Sequence, residues 1–140
     1  MLVQGAKLLT TTEARRSQVS LALATDERAD LGQFFTPAAV ARFLASLFEI
    51  RQGPATVLDP GAGIGSLTAA FVARWAAESR YPLAVTANEV VPNLTGDLKE
   101  TLDGCARLAD LSINIQEGGL SSGPSTSSNM MRLLGMTMSS

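Results

Sequence analysis

Apolar residues recur along this chain with two periods. Between residues 37 and 50, PAAVARFLASLFEI sets Val40, Phe43, Leu44, Leu47 and Phe48 at helical spacing, which predicts a helix with one apolar face. Thr36 suits its N-cap and Pro37 its first turn. RQGP breaks that pattern. ATVLD (55–59) then reads as a short, buried parallel strand. SLTAAFVARWAAESR is a second amphipathic helix, LAVTANEV (83–90) a second strand, VPNLTGDLKETLDGCARLAD a third helix and LSINIQE (111–117) a third strand. Upstream, residues 11–25 can form a helix capped by Thr11 or Thr12. Strand–helix–strand–helix–strand with short turns predicts an α/β fold with a doubly wound parallel sheet of about three strands.

Composition fits one globular domain, with 46% hydrophobic and 17% charged residues in 140. Net charge is −2, so the chain carries no overall basic footprint for nucleic acid. There is no histidine, which removes histidine-based acid–base chemistry and histidine metal sites, and no metal site is expected. The single cysteine, Cys105, suits a small buried apolar role and a reducing compartment. No run of about 18 apolar residues occurs and no secretory h-region opens the chain, so a cytoplasmic protein is expected. Residues 1–30 read as an N-terminal helical segment and 31–117 as the α/β domain. Beyond Glu117 the chain turns rich in Ser, Gly, Thr and Met, as a flexible tail would.

The informative stretch is VLDPGAGIGSL (57–67), a strand entering a helix through a glycine turn. No lysine follows the glycines, which excludes a P-loop. The third glycine, Gly65, comes one residue too early for a dinucleotide turn. Asp59 beside the turn would repel a pyrophosphate but pair with a cationic amino-acid group. Gly61 and Gly63 would let the backbone pass close to a ligand, and Gly65 would let the helix pack on the strand. Glu89, at the end of the next strand, would accept both hydroxyls of a ribose; a solvated acid is the plain alternative there. A nucleoside bearing an amino acid fits better than one bearing phosphates, and S-adenosylmethionine is such a molecule.

VLDPGAGIGSLTAAF, preceded by LGQFFTPAAVARFLASLF, resembles the N6-adenine DNA methyltransferases of restriction–modification systems. In the subgroup whose cofactor motif comes first, G-Q-[FY]-[FY]-T-P precedes D-P-[AG]-[AC]-G-x-G, as here, and the resemblance covers roughly residues 30–117. It implies a Rossmann-like, S-adenosylmethionine-dependent methyltransferase fold. It also implies that Gln33, Phe34, Phe35, Thr36 and Pro37 line one side of the cofactor pocket. Asp59, followed by Pro60, would meet the methionine amino group, Gly61, Ala62 and Gly63 would approach the same portion, and Glu89 would bind the ribose. Phe34 and Phe35 read alternatively as core aromatics, since one of two adjacent rings must point away from the pocket.

The resemblance also marks what is missing. In that family N-P-P-[YF] supplies the catalytic groups for an adenine flipped from the duplex. No Asn-Pro-Pro occurs here, and Asn93 follows Pro92 out of place. Basic target-recognition contacts are missing too, so DNA would be engaged through regions outside this chain, and the chain alone is not expected to methylate it. The last residues also read differently one base out of frame. Starting triplets at the last base of each preceding codon, Met130–Met131 and Met136–Thr137 both give Asp. Residues from about Gly118 onward therefore read as a frameshifted remnant. The other readings are a methyltransferase fragment for RNA or protein, and a non-enzymatic cofactor-binding fragment or split subunit completed by a second polypeptide. Three strands would leave one sheet edge and one face open.

Overall fold

The computed structural model describes residues 2–23 and 35–117. Helix α1 (Leu2–Ala22) is followed by α2 (Ala38–Ser46), β1 (Ala55–Asp59), α3 (Ser66–Glu78), β2 (Leu83–Glu89), a 3-10 turn (Pro92–Leu94), α4 (Thr95–Ala106) and β3 (Leu111–Glu117). The three strands are parallel, in the order β1-β2-β3. Ala55 pairs with Leu83 and Leu83 with Leu111, so the strands start level. Among the described residues no helix is long and apolar enough to cross a membrane.

The inward positions Leu83, Val85 and Ala87 of β2 join Val72, Trp75, Leu98, Leu102 and Cys105 in the core. On the opposite face Ser112, Asn114 and Gln116 of β3 are exposed. Helices α3 and α4 pack on each other and contribute to the core on one face of the sheet, and α1 packs on both helices. Double winding needs helices on both faces; strands added in one direction with crossovers of one hand place them on one. Burial pushes the Cys105 thiol up to about 12, and it sits in the core as a small apolar residue.

Four local expectations are corrected. Helix α1 begins well before Thr11 and Thr12, which lie inside it, and the neighbouring Thr10 Oγ1 donates to the Ala6 carbonyl of the preceding turn. Residue Pro37, not Thr36, is the N-cap of α2. The open Ala38 N–H donates to Glu13 Oε2 of α1, 3.0 Å away, a side chain held by Arg16 at 2.6 and 2.9 Å. That hydrogen-bonded guanidinium also lowers the Glu13 carboxyl below the usual range. The face α2 buries is not the large apolar one: Ala41 and Ala45 are each 1% exposed, whereas Phe43 is 62% and Leu47 67% exposed. Small side chains let α2 approach α3 closely, and Arg74 of α3 fixes the contact by donating to the Ala45 and Phe48 carbonyls. The large residues flank that seam and face outward, with Phe48 edge-on to Phe71 at 5.6 Å. Finally, Gly65 faces α4 and not the strand.

That last contact is tight. At Gly65 φ is +87°, and a Cβ there would lie 3.0 Å from Thr101 Cγ2 and 3.1 Å from Leu98 Cδ1. Backbone and packing both demand glycine. Substitution Gly65→Ala is expected to destabilise the chain by about 1–3 kcal/mol, read as a lowered urea midpoint at unchanged slope; an unaltered midpoint would refute the packing argument.

Candidate functional site

The carboxyl ends of the strands carry the chemistry. Strand β1 ends at Asp59 because Pro60, with no N–H, cannot continue the ladder. The chain then turns through residues 60–65 and enters α3 with Gly65 as N-cap, without a side-chain cap. Only Gly63 and Gly65 have positive φ among the described residues. Gly61 has open space where a Cβ would sit.

The turn is stitched to the end of β2. The Ala62 N–H donates to the Asn88 carbonyl at 3.0 Å and the Gly65 N–H to the Ala62 carbonyl at 2.7 Å. The Gly63 N–H donates to Glu89 Oε2 at 2.7 Å, and the Val91 N–H to the other oxygen, Oε1, at 2.8 Å. Glu89 is 6% exposed, so its charge is met chiefly by these two backbone groups. Strand-to-helix turns that grip phosphate leave such donors free. Here three of them are spent internally.

Asp59 is the second acid. Thr68 Oγ1, from the first turn of α3, donates to Asp59 Oδ2 at 2.7 Å. Burial pushes the Asp59 carboxyl above its usual range; the bonds from Thr68 and the Gly61 backbone pull it back, and the nearby Glu89 charge raises it further. Two acids thus share the mouth of one turn, a field that favours a cation and disfavours an anion. Buried hydroxyl Ser66 Oγ and amide oxygen Asn88 Oδ1 have no hydrogen-bond partner among the described residues.

The expected site residues divide accordingly. Phe35 lies over the turn, its ring 3.6 Å from where a Gly63 Cβ would be, so the FTP segment meets the glycine turn across the fold. Thr36 is half-buried and Pro37 exposed; Gln33 and Phe34 lie outside the described residues, as does everything from Gly118 on. Asp59, Ala62, Gly63 and Glu89 are gathered together, with Pro60 and Gly61 at the exposed rim. Gly65 serves packing against α4. Sequence reasoning passed over Thr68 and Asn88. A polar residue among the apolar ones of SLTAAF was the available signal for Thr68; Asn88, where the alternation of burial along β2 stops, gave none. Among the described residues no group of three His, Cys, Asp or Glu side chains is placed to hold a metal ion.

A cleft of about 650 Å³ runs along the open edge of β1. It is lined by Phe48, Leu58, Leu67 and Phe71, and reaches Asp59 and Thr68 at its carboxyl end.

Residues 19–86 match the model of the N-6 DNA methylase family. The type II methyltransferase M.BsuBI of Bacillus subtilis is 41% identical over 97 residues, which is 69% of this chain and 19% of that protein. The type II methyltransferase M.PstI of Providencia stuartii is 37% identical over 91 residues, 64% of this chain and 18% of that protein. No solved structure matches. The chain spans under a fifth of the length of these relatives. The glycine turn lies within residues 19–86 together with α2, β1, α3 and β2 as far as Thr86, and with the two relatives this likeness supports a fragment of the N-6 DNA methylase family.

Proposed function

We propose that this chain forms the S-adenosylmethionine-binding part of an adenine-specific DNA methyltransferase, in a restriction–modification setting. One observation carries the reading: a strand-to-helix turn whose N–H groups at Ala62, Gly63 and Gly65 are already bonded, flanked by the buried acids Asp59 and Glu89. Such a site has little to offer a phosphate and much to offer a ligand rich in donors and positive charge. The unpartnered Asn88 Oδ1 and Ser66 Oγ at the same end of the sheet fit a polar ligand as well. In this reading Asp59 holds the ammonium of the methionine portion and Glu89 the ribose hydroxyls. Phe35, with Gln33, Phe34, Thr36 and Pro37, walls one side, and Gly61 leaves room beside the turn. S-adenosylmethionine, when bound, supplies an electrophilic methyl group on sulfur. The acceptor is the N6 amino group of adenine in DNA; the groups that flip and orient it are supplied from outside the described residues.

The cleft beside β1 favours a second element. Its apolar walls and unpaired strand edge suit a strand added parallel to β1, carried by a second polypeptide with the catalytic and target-recognition parts. RNA or protein as methyl acceptor is the competing reading, and methyl transfer to duplex DNA in the complemented complex separates them.

Three outcomes are expected. Calorimetry of the folded chain with S-adenosylmethionine gives saturable heat, and no heat at any ratio removes the cofactor assignment. Asp59→Asn weakens that binding about tenfold or more, the loss of one charge-assisted contact, while stabilising the ligand-free chain. The sign follows from linkage. A carboxyl raised in the folded state gives stability that is complete below its ordinary value of 3.8 and is lost as pH rises through the folded value. The variant's advantage over the parent in thermal melts therefore grows from pH 4 to 7, and a constant difference would contradict it. Finally, a polypeptide carrying the rest of M.BsuBI forms a one-to-one complex with this chain by light scattering, and Leu58→Lys abolishes it; a complex indifferent to that change would place the contact elsewhere.

A further inference from the structure

We propose that Glu89 is a positioning residue for the glycine turn as well as a ligand of the nucleoside, so that part of its contribution to binding is made without touching the ribose. The proposal rests on the cofactor reading of this site and gives one residue in it a second task.

The geometry is specific. Each Glu89 carboxylate oxygen takes one backbone N–H: Oε2 that of Gly63 and Oε1 that of Val91. Among the described residues no Lys or Arg forms an ion pair with it. The two N–H groups belong to different loops. Gly63, at φ +55°, sits at the crest of the turn after β1; Val91 opens the 3-10 turn that leads into α4. Helix α4 in turn presses Leu98 and Thr101 against Gly65. The turn is therefore held at three points from the β2–α4 side, by the Asn88 carbonyl at Ala62, by the carboxylate at Gly63 and by packing at Gly65.

Without the carboxylate, the Gly63 N–H loses its acceptor in a half-buried place, and a glycine has many other conformations open to it. The Phe35 ring rests against that residue, so one wall of the site moves with the turn. Binding a ribose does not require the carboxylate to let go. An ionised carboxylate offers about four lone-pair directions, of which the two N–H groups use two. Glu89 can hold the turn and accept from two hydroxyls at once.

The test separates the two tasks by removing the hydroxyls from the ligand. Affinities of S-adenosylhomocysteine and its 2′,3′-dideoxy analogue are measured for the unmodified chain, Glu89→Ala and Glu89→Gln, at a temperature where each is folded. The carboxamide can accept from only one of the two N–H groups. Positioning is expected to weaken the dideoxy analogue about tenfold in Glu89→Ala, the scale of one lost charge-assisted hydrogen bond, with Glu89→Gln between. If the variants weaken S-adenosylhomocysteine and leave the analogue untouched, Glu89 acts only on the ribose and the proposal fails. Amide exchange at Gly63 in the unmodified, ligand-free chain needs no variant: protection is expected, and exchange as fast as in an unstructured peptide would overturn the stitch. Failure of the unmodified chain to bind either ligand overturns the cofactor reading itself, a result distinct from both.

Discussion

The site depends on a competition for backbone donors. A turn from strand to helix exposes N–H groups that either a ligand or the protein must satisfy. In this chain the protein claims them: Ala62 through the Asn88 carbonyl, Gly63 through Glu89 and Gly65 through Ala62. That choice inverts the electrostatic character of a shape familiar from phosphate binding. What remains at the mouth is two carboxylates and the aromatic ring of Phe35. The chemical preference of the site is set by which hydrogen bonds are already taken, more than by the glycines that allow the path.

Packing supports the same arrangement. Gly65 can serve as N-cap of α3 only because α4 fits against it without a Cβ between them. Helix α4 is tied to α1 in turn: Arg15 reaches Thr101 and Glu100, and Leu8 occupies the hollow left by Gly104. Helix α1 also holds the start of α2 through Glu13, next to the segment that carries Phe35. Residues far upstream of the turn thus decide where its aromatic wall stands.

Much of the fold was legible because period and composition agreed. ATVLD and LSINIQE are strands over the residues expected, each bounded by turn residues and rich in β-branched or aliphatic side chains. The face of α2 was misread because periodicity reports where large apolar residues recur, and close packing there selected Ala41 and Ala45 instead. The start of α1 was missed because Thr11 and Thr12 match a cap by residue type, whereas both lie inside a helix that begins at Leu2. Glu13 could not be foreseen as the partner of Ala38, since its role is tertiary and 25 residues distant. At the site, residue types and order pointed to Asp59, Gly63 and Glu89. They could not say that Glu89 faces backbone, that Thr68 holds Asp59, or that Gly65 serves α4.

The packing of α1 on α3 and α4 has a consequence for how the chain comes into being. Helix α1 is made before the surfaces it packs on, which lie in α3 and α4. Gly5 and Leu8 find their seats against Ala73 and Gly104 only when residues up to the end of α4 exist. Until then a helix of 21 residues must wait with its packing face in water, and α2 waits with it for the α3 residue Arg74 that fixes its end. A segment synthesised ahead of α3 and α4 is thus able to dock only after them, so slow elongation across residues 66–106 prolongs the interval in which the nascent chain is most open to chaperones and proteases.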